Sequence, residues 1–203
     1  MIKALIFDFG NVFLNLDIEG AMRKTLNAFN IESLSNDMIA TNERYETGDI
    51  SSEAFIDFYR NKFPDISEET WIPLWNSMLK DFPEYRLEFL QKLQRSNKFK
   101  LILFSNTNEI HLSWVKHNVR FYETFKNCFD AFYLSHEIHR RKPDVSSYEF
   151  ILSEHQLKGK DCFFVDDNAD NIKGAASLGI HTWHINPKHE DVTELFQKHQ
   201  DLF

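Results

Sequence analysis

The residues of this chain best able to do chemistry are a small set of carboxylates, a hydroxyl and an amine. Most of them come directly after short apolar runs, and in chain order they are Asp8, Ser105, Lys142 and the adjacent pair Asp166-Asp167. Two adjacent acids at the end of a buried run repel each other unless a cation lies between them. Mg²⁺ and similar hard ions prefer such oxygen ligands. Carboxylates, a hydroxyl and an ammonium that converge on one point suit a phosphoryl group, because its oxygens are charged.

The apolar runs predict the strands of a parallel sheet, which would bring these groups to one edge. The first run, at residues 2–7, has no helical spacing and ends at Asp8, as expected for a strand buried on both faces. Further strands are predicted at 99–104, 131–134, 162–165 and 181–185. Helices are predicted between them at 108–117, 145–155 and 168–178, with a last helix from Asp191. This alternation is typical of βαβ units, whose ligand crevices lie at the carboxyl edge of the sheet.

Residues 17–82, here called the insert, lie between the first two strands and show helical spacing of apolar residues with no strand pattern. Four helices are expected in the insert, with Ser51 and Ser67 as N-caps of the third and fourth. The predicted fold is therefore of the α/β class. It has a Rossmann-like core with a parallel sheet, made by residues 1–16 and 83–203, and a small α-helical domain made by the insert.

Composition narrows the range of partners. The formal net charge is -8, whereas a nucleic-acid-binding protein would need a basic face. No segment approaches 18 uninterrupted apolar residues, so we expect no membrane contact. Cys128 and Cys162 lie on apolar stretches far apart in the sequence, which favours buried free thiols and a cytoplasmic protein.

Each candidate group also has a purely structural interpretation when it is taken alone. Asp8 could be a turn or helix-capping residue, and Ser105 or its neighbours could cap the following helix. Lys142, which precedes a proline, could be a solvated loop residue, and Asp166-Asp167 could cap the next helix. The convergence of all these groups on one sheet edge favours a site over a set of independent caps.

The polar stretches, taken in order, resemble the four motifs of the haloacid dehalogenase-like hydrolase superfamily. They are Asp8–Val12, Ser105–Thr107, Lys142–Asp144 and Asp166–Asn168. The resemblance covers essentially the whole chain, and the insert resembles the C1-type helical cap of subfamily I. The motifs are most similar to those of the branch that contains bacterial α-glucose-1-phosphate phosphatase. The resemblance implies a Mg²⁺-dependent phosphoric monoester hydrolase that acts on small phosphorylated metabolites, with sugar phosphates favoured.

The resemblance also implies roles for individual residues. Asp8 would attack phosphorus and form an aspartyl-phosphate, while Ser105 and Lys142 would hold the phosphoryl oxygens. The implied Mg²⁺ ligands are Asp8, the backbone carbonyl of Gly10 and Asp167, with Asp166 as a further ligand or an orienting residue. Substrate-binding and supporting residues are expected beside the site at Asn11, Asn106 and Asp170, and in the insert at Trp75, Asn76 and the 48–49 turn. The alternative for Trp75 is that it belongs to the core of the insert.

One position departs from the pattern of this superfamily. Most of its phosphatases carry a second Asp two residues after the nucleophile, as a general acid and base, where this chain has Gly10. General acid–base catalysis typically contributes about 10²–10⁴-fold to a rate. We therefore expect turnover to depend on leaving groups that depart with little help, such as those of anomeric sugar 1-phosphates, acyl phosphates and aryl phosphates.

Two other functions stay open at this level. A 2-haloacid dehalogenase on the same fold needs no metal, and the acidic pair Asp166-Asp167 argues against it. A non-catalytic binding module would have lost turnover together with the general acid, and the intact Asp8, Ser105 and Lys142 argue against that. The expected partner is a small phosphorylated metabolite, and the protein is expected to be a monomer or a weak homodimer.

Overall fold

The core of the molecule is a five-stranded parallel sheet. In the computed structural model, which describes residues 1–203 apart from the side chain of Glu68, its strands are β1 (Ala4–Phe7), β2 (Lys100–Ser105), β3 (Ala131–Leu134), β4 (Cys162–Asp166) and β5 (His181–His184). Their order is β3-β2-β1-β4-β5, with the first strand of the chain in the centre. Each pairing is parallel, so the predicted α/β class is confirmed.

The register of the strands places Asp8 beside residues that were predicted to share its site. Phe7 pairs with Leu103 of β2 and with Val165 of β4. The next residues, Asp8 and Asp166, therefore leave neighbouring strands at the same level. The Asp8 amide donates to the Val165 carbonyl at 3.0 Å, which continues the ladder one step beyond β1.

The insert folds into four helices: α1 (Ile18–Phe29), α2 (Asn36–Glu46), α3 (Ser52–Lys62) and α4 (Glu68–Asn76). They bury an aromatic-rich cluster of their own, whose members are Phe29, Met38, Tyr45, Phe55, Tyr59 and Trp71. The predicted N-cap at Ser51 is confirmed, because its hydroxyl accepts a hydrogen bond from the Ala54 amide at 3.2 Å. Ser67 precedes α4 but makes no side-chain capping bond, and its hydroxyl lies 3.1 Å from that of Thr70 instead.

Helices of the core cover both faces of the sheet. They are α5 (Glu84–Ser96), α6 (Glu109–Asn118), α7 (Tyr122–Lys126), α8 (Ser135–Ile138), α9 (Val145–Glu154), α10 (Ala169–Ala176) and α11 (Leu195–Lys198). One face of the sheet packs against apolar residues of α5, α6, α7 and α11, and the other packs against α9 and α10. The central strands are therefore buried on both faces, as their continuous apolar sequence predicted.

Some short helices were not predicted from the sequence. Helices α7 and α8 have five and four residues, too few for a helical repeat of apolar side chains to be recognised. The helix predicted from Asp191 begins as a 3₁₀ turn at Val192–Glu194 and continues as α11.

Two expectations from composition concern thiols and membranes. Cys128 and Cys162 are buried free thiols, as predicted. Among the described residues, every helix is too short or too polar to cross a membrane.

The chain enters the insert through residues 15–17 and leaves it through residues 78–81. These two segments, here called the first and second crossings, lie side by side. Backbone hydrogen bonds of 2.8–3.0 Å join residues 15–17 of the first crossing to residues 78–81 of the second. Arg86 of α5 is 5% exposed and donates from Nη1 to the Phe13 carbonyl at 3.0 Å and to Asn15 Oδ1 at 2.9 Å. Its Nε donates to Asp191 Oδ2 at 2.9 Å, so one buried guanidinium fixes the first crossing to the core.

Candidate active site

Lys142 lies at the centre of the predicted site, with its ammonium group buried between two carboxylates. Its Nζ donates to Asp8 Oδ1 and to Asp166 Oδ2, both at 2.7 Å, and to the Phe104 carbonyl at 2.9 Å. An ammonium group has three N–H donors, so all of them are engaged. In this arrangement Lys142 holds two carboxylates in place, and a phosphoryl oxygen would have to share one of its donors.

Asn106 holds the loop that carries Lys142. Its amide nitrogen donates to the Lys142 carbonyl at 2.8 Å, and its side-chain oxygen accepts from the Lys142 amide at 2.9 Å. Because Asn106 directly follows Ser105 at the end of β2, these two bonds fix the backbone of Lys142 to the end of that strand. Asn106 was expected to support the site or bind substrate, and its observed bonds are to the protein.

Asp166 is completely buried and is oriented by the start of α10. Its Oδ1 accepts from the Asn168 amide at 2.8 Å, and both of its oxygens lie 3.1 Å from Asn171 Nδ2. The nearby Asp170 does not take part, because it is exposed and pairs with Lys173 at 2.8 Å. The expectation that Asp170 supports the site is therefore wrong, and Asn171 takes that place.

Asp167 is connected to the first crossing through Asn11. Asn11 Nδ2 donates to Asp167 Oδ2 at 2.7 Å, and Asn11 Oδ1 accepts from the Leu16 amide at 3.0 Å. Asn11 adopts a left-handed backbone conformation with φ of 54°, which Asn tolerates better than most residues. This turn directs the Asn11 side chain back across the sheet edge toward Asp167.

Burial and mutual repulsion shift the ionisation of this cluster. Burial raises the pKa of Asp8 to about 7; the nearby Lys142 ammonium opposes this shift, and the Asp166 carboxylate adds to it. Burial also raises the pKa of Asp167. For Lys142, burial by itself favours the neutral amine, but Asp166 and Asp8 hold its pKa above the usual value. Lys142 therefore stays charged, but its single positive charge does not balance the negative charges of the carboxylates around it.

The residues present fit a divalent cation. Asp8, Asp166 and Asp167 each offer one carboxylate oxygen, and these three oxygens lie within 4.8 Å of one another. Three carboxylates against the single Lys142 ammonium leave an excess of negative charge in a largely buried space. Hard cations with oxygen ligands compensate for such an excess. The Gly10 carbonyl stays a predicted ligand.

A small cavity beside Gly10 and Ser105, here called the inner cavity, has a volume of about 60 Å³. Leu16 and Met78, one from each crossing, line it together with His111. A Cβ atom built on Gly10 would lie 2.6 Å from Leu16 Cδ1 and 4.0 Å from Asp8 Oδ2. Leu16 thus occupies the space that a side chain at position 10 would need.

Trp75 and Asn76, the predicted substrate contacts of the insert, lie at the end of α4. The Trp75 ring packs on Phe55 and on His111, with ring centroids 5.0 and 5.2 Å apart, so it does belong to the aromatic packing of the insert. Its indole N–H and Asn76 Oδ1 are nevertheless buried without a hydrogen-bond partner among the described residues. Native proteins leave few buried polar atoms unpaired. Substrate contact by Trp75 and Asn76 stays a prediction, since neither residue lines the inner cavity.

The Gly48–Asp49 turn, the other feature expected to face substrate, lies against the core. Gly48 has φ of 71°, and a Cβ atom there would lie 2.2 Å from the His136 carbonyl. Asp49 Oδ2 accepts a hydrogen bond from the Thr47 hydroxyl at 2.7 Å. Only glycine fits this close approach, so the turn docks the insert on the core.

Two residues at or beside the site, Asn171 and His111, were not predicted from the sequence. Asn171 orients Asp166 from the first turn of α10, and its only signal is its position five residues after that acid. His111 lines the inner cavity and is 9% exposed. Its position three residues after Asn108, the N-cap of α6, was the available signal for a residue directed toward the sheet edge.

Comparison with known proteins identifies the family. The family model for haloacid dehalogenase-like hydrolases matches residues 2–179. The chain belongs to this family. Its resemblance to the family, inferred from the four motifs, is thereby confirmed.

Relatives of known structure and sequence extend over nearly the whole chain. D-ribitol-5-phosphate phosphatase of Bacteroides thetaiotaomicron is 25% identical over 199 residues, which are 90% of this chain and 91% of the relative. The crystal structure of the HAD family enzyme bt-2542 of the same species, a magnesium complex, has a TM-score of 0.84 and 33% identity over 97% of this chain and 98% of that one. A complex of that enzyme with magnesium and inorganic phosphate has a TM-score of 0.82 and 34% identity, over 97% and 100% of the two chains.

Proposed function

We propose that this family member is a Mg²⁺-dependent phosphatase that hydrolyses small phosphorylated metabolites through an aspartyl-phosphate on Asp8. The observation that carries the proposal is the buried Asp8–Lys142–Asp166 cluster beside Asp167, at the carboxyl edge of the sheet. The relatives support it, since one is a D-ribitol-5-phosphate phosphatase and another binds magnesium and inorganic phosphate.

The hydrogen bonds favour one Asp8 oxygen as the nucleophile. Lys142 donates to Oδ1, and the proposal therefore gives the attack on phosphorus to Oδ2. The ester P–O bond breaks as the new P–O bond forms, and the departing oxygen keeps the electron pair. Water then attacks phosphorus, the bond to Asp8 breaks, and the carboxylate is regenerated as inorganic phosphate leaves. Ser105, at the end of β2, is proposed to hold a phosphoryl oxygen.

The metal would be held by the acidic edge of the sheet. Asp8, Asp167 and the Gly10 carbonyl are the proposed ligands, while Asp166, whose oxygens accept from Lys142, Asn168 and Asn171, orients the group. When bound, Mg²⁺ supplies positive charge that offsets the negative charge of the phosphoryl oxygens. Asn11 and Asn106 act by positioning Asp167 and Lys142, respectively. Direct contact with substrate is therefore proposed for Trp75 and Asn76 instead.

Leaving groups should sort by their acidity at this site. Gly10 has no proton to give, and apolar Leu16 fills the space where an acid at position 10 would act. An anomeric hydroxyl is more acidic than a primary one, so a sugar 1-phosphate departs with less help than a sugar 6-phosphate. A general acid would contribute roughly 10²–10⁴-fold to the rate, and this site lacks one at position 10. We therefore propose that the enzyme prefers anomeric, acyl and aryl phosphates over primary alkyl phosphates.

The domain organisation and the setting of the protein complete the proposal. The insert, residues 17–82, serves as the cap that selects the leaving group, and residues 1–16 and 83–203 form the catalytic core. The two buried free thiols suit a reducing compartment such as the cytoplasm. The protein is proposed to act as a monomer or a weak homodimer.

A panel of phosphate esters assayed with and without Mg²⁺ tests the function. We expect phosphate release that requires Mg²⁺ and stops with a chelator. Chloride release from a 2-haloacid without added metal would support a dehalogenase instead. No turnover of any compound in the panel would support a non-catalytic binding module.

A further inference from the structure

The first turn of α6 lies in contact with the insert on several sides. The Ile110 amide donates to the Tyr45 hydroxyl at 3.2 Å, and the Ile110 side chain packs against the apolar cluster of the insert. The Ser52 hydroxyl donates to Glu109 at 2.5 Å. This turn follows the Ser105–Thr107 loop directly, so the same short segment carries a predicted phosphoryl contact and a docking point for the insert.

His111 makes the most central of these contacts, and its protonation state can be deduced from its neighbours. Asn108 Oδ1 accepts from the His111 amide at 3.0 Å, which identifies Asn108 Nδ2 as the donor that lies 3.1 Å from His111 Nδ1. Nδ1 therefore accepts, and the ring proton is on Nε2. Nε2 then donates to the Trp75 carbonyl at 3.3 Å. The imidazole thus bridges the N-cap of α6 and the end of α4.

The environment of His111 favours the neutral ring. Burial lowers its pKa to about 4, although the hydrogen bond to the Trp75 carbonyl opposes that shift. The ring also stacks on the Trp75 indole at an interplanar angle of 21°. Neither ring nitrogen is free to exchange a proton with substrate, which excludes His111 as a replacement for the missing general acid in this conformation.

We propose that His111 is a positioning residue that couples docking of the insert to the geometry of the Ser105–Thr107 loop, as a neutral imidazole protonated on Nε2. The proposal rests on the proposed phosphatase function, in which the insert closes over a bound ester. His111 connects Trp75, one of the predicted substrate contacts of the insert, to the start of α6. The first residues of α6 in turn follow the Ser105–Thr107 loop. Correct seating of the leaving group would thereby stabilise the loop that holds the phosphoryl group.

The tautomer can be measured without any substrate. Long-range ¹⁵N–¹H correlation spectra of the wild-type protein at neutral pH should show His111 with a protonated Nε2 and an unprotonated Nδ1. The His111→Gln variant assigns the signal among the nine histidines. A ring protonated on Nδ1, or on both nitrogens, would overturn the proposal.

Kinetics of two phosphorylated substrates separate docking from a general loss of structure. We expect His111→Phe, which keeps a ring for stacking but loses both hydrogen bonds, to lower kcat/KM for glucose 1-phosphate about tenfold, mainly through KM. The acyl phosphate acetyl phosphate has only acetate as its leaving group, which we expect not to reach the insert, so its kcat/KM should change by less than about twofold. His111→Gln, whose amide N–H can replace Nε2–H, should recover most of the loss.

Two controls show whether the effect belongs to this position. His117→Phe changes an exposed histidine of the same helix, and Ile151→Ala destabilises the opposite side of the sheet, where Ile151 is fully buried. Neither control should alter the ratio of kcat/KM for the two substrates. An equal loss of kcat/KM on both substrates in His111→Phe, or the same change of that ratio in Ile151→Ala, would overturn the coupling.

Hydrogen exchange keeps this test apart from the test of function. The Ile110 amide should exchange at least about tenfold faster in His111→Phe than in Ile151→Ala, because its bond to Tyr45 depends on docking. Unchanged exchange would overturn the role of His111 even if both substrates are hydrolysed. If the wild type hydrolyses neither these two substrates nor any other compound of the panel, the proposed function fails, whereas the tautomer and the exchange rates still decide whether His111 docks the insert.

Discussion

The carboxyl edge of the sheet and the end of α4 differ in how completely their polar groups are paired. At the sheet edge, all three donors of Lys142 and both oxygens of Asp166 are in hydrogen bonds. At the end of α4, three consecutive residues each bury a polar atom that finds no partner among the described residues, namely Trp75 Nε1, Asn76 Oδ1 and Ser77 Oγ. The groups assigned to chemistry are thus fixed in advance, whereas Trp75 and Asn76, which are proposed to contact substrate, each keep one polar atom unpaired among the described residues.

This difference has a physical reason in each region. Groups that stabilise a transition state are most effective when they need no reorganisation during the reaction. A buried polar atom without a partner costs about 1–3 kcal/mol, which a ligand can recover when it binds. The comparison therefore predicts large losses from changes at the sheet edge and small or favourable changes in stability at the end of α4.

The largest expected effect is on the nucleophile. Asp8→Asn is nearly isosteric but removes the charged oxygen, so we expect turnover to fall by at least roughly 10⁴-fold, as when other covalent nucleophiles are removed. Phosphate release from the best ester in the panel provides the measurement, and circular dichroism checks that the fold is retained. Substantial remaining activity would remove Asp8 from the mechanism.

Lys142→Met should produce the largest loss of stability. It leaves Asp8 and Asp166 buried without their cation, which typically costs about 3–5 kcal/mol when a buried ion pair loses one partner. Urea unfolding in the absence of divalent ions measures the effect. The matched control is Lys173→Met, whose exposed pair with Asp170 should change the free energy of unfolding by less than about 1 kcal/mol.

Asp167→Asn should weaken the metal site without unfolding the protein. Replacing one proposed ligand, which Asn11 also orients, should reduce Mg²⁺ affinity by at least about 10–100-fold. Isothermal titration calorimetry with Mg²⁺ alone measures the affinity directly. An unchanged affinity would mean that the metal binds without Asp167.

A smaller effect should come from restoring an acid at position 10. The side chain of Gly10→Asp would clash with Leu16 Cδ1, so the substitution is best made together with Leu16→Ala. The single variant Leu16→Ala is the reference for this double variant. The ratio of kcat/KM for glucose 1-phosphate and glucose 6-phosphate should fall by about tenfold, since an acid helps the poorer leaving group most. If wild type hydrolyses the 6-phosphate as fast as the 1-phosphate, leaving-group acidity does not govern the site.

The smallest effect is expected at Ser77. Ser77→Ala removes a buried hydroxyl that has no partner in the described part of the chain, so the free energy of unfolding should stay the same or rise by up to about 1 kcal/mol. Thermal unfolding without ligand measures this change. A loss of more than about 1 kcal/mol would show that the hydroxyl is paired in solution and would weaken the contrast between the two regions.

The sequence predicted those parts of the site that depend on strand ends. Asp8, Ser105 and Asp166 follow continuous apolar runs, and parallel pairing then brings their strand ends to one edge. The fully engaged ammonium of Lys142 could not be predicted, because it depends on how a loop returns to Phe104. Asp170 was also expected to support the site, but the first turn of α10 directs Asn171 toward Asp166 instead.

Contacts between the insert and the core could not be predicted from the sequence for a similar reason. Apolar spacing locates the helices of the insert but does not say which residues of α6 they approach. The bridge made by His111 and the close approach of Gly48 to the His136 carbonyl depend on tertiary packing. Such contacts leave no periodic signal in the chain.

The central position of β1 has a consequence for synthesis of the protein. Ala4 is made well before its neighbours in the sheet, Lys100 and Cys162. Until then the nascent chain carries an apolar segment with both edges unpaired, which is the kind of segment that associates with other chains. Protection by chaperones during translation is therefore most needed before β2 appears, and a chain released before residue 166 lacks a carboxylate partner of Lys142.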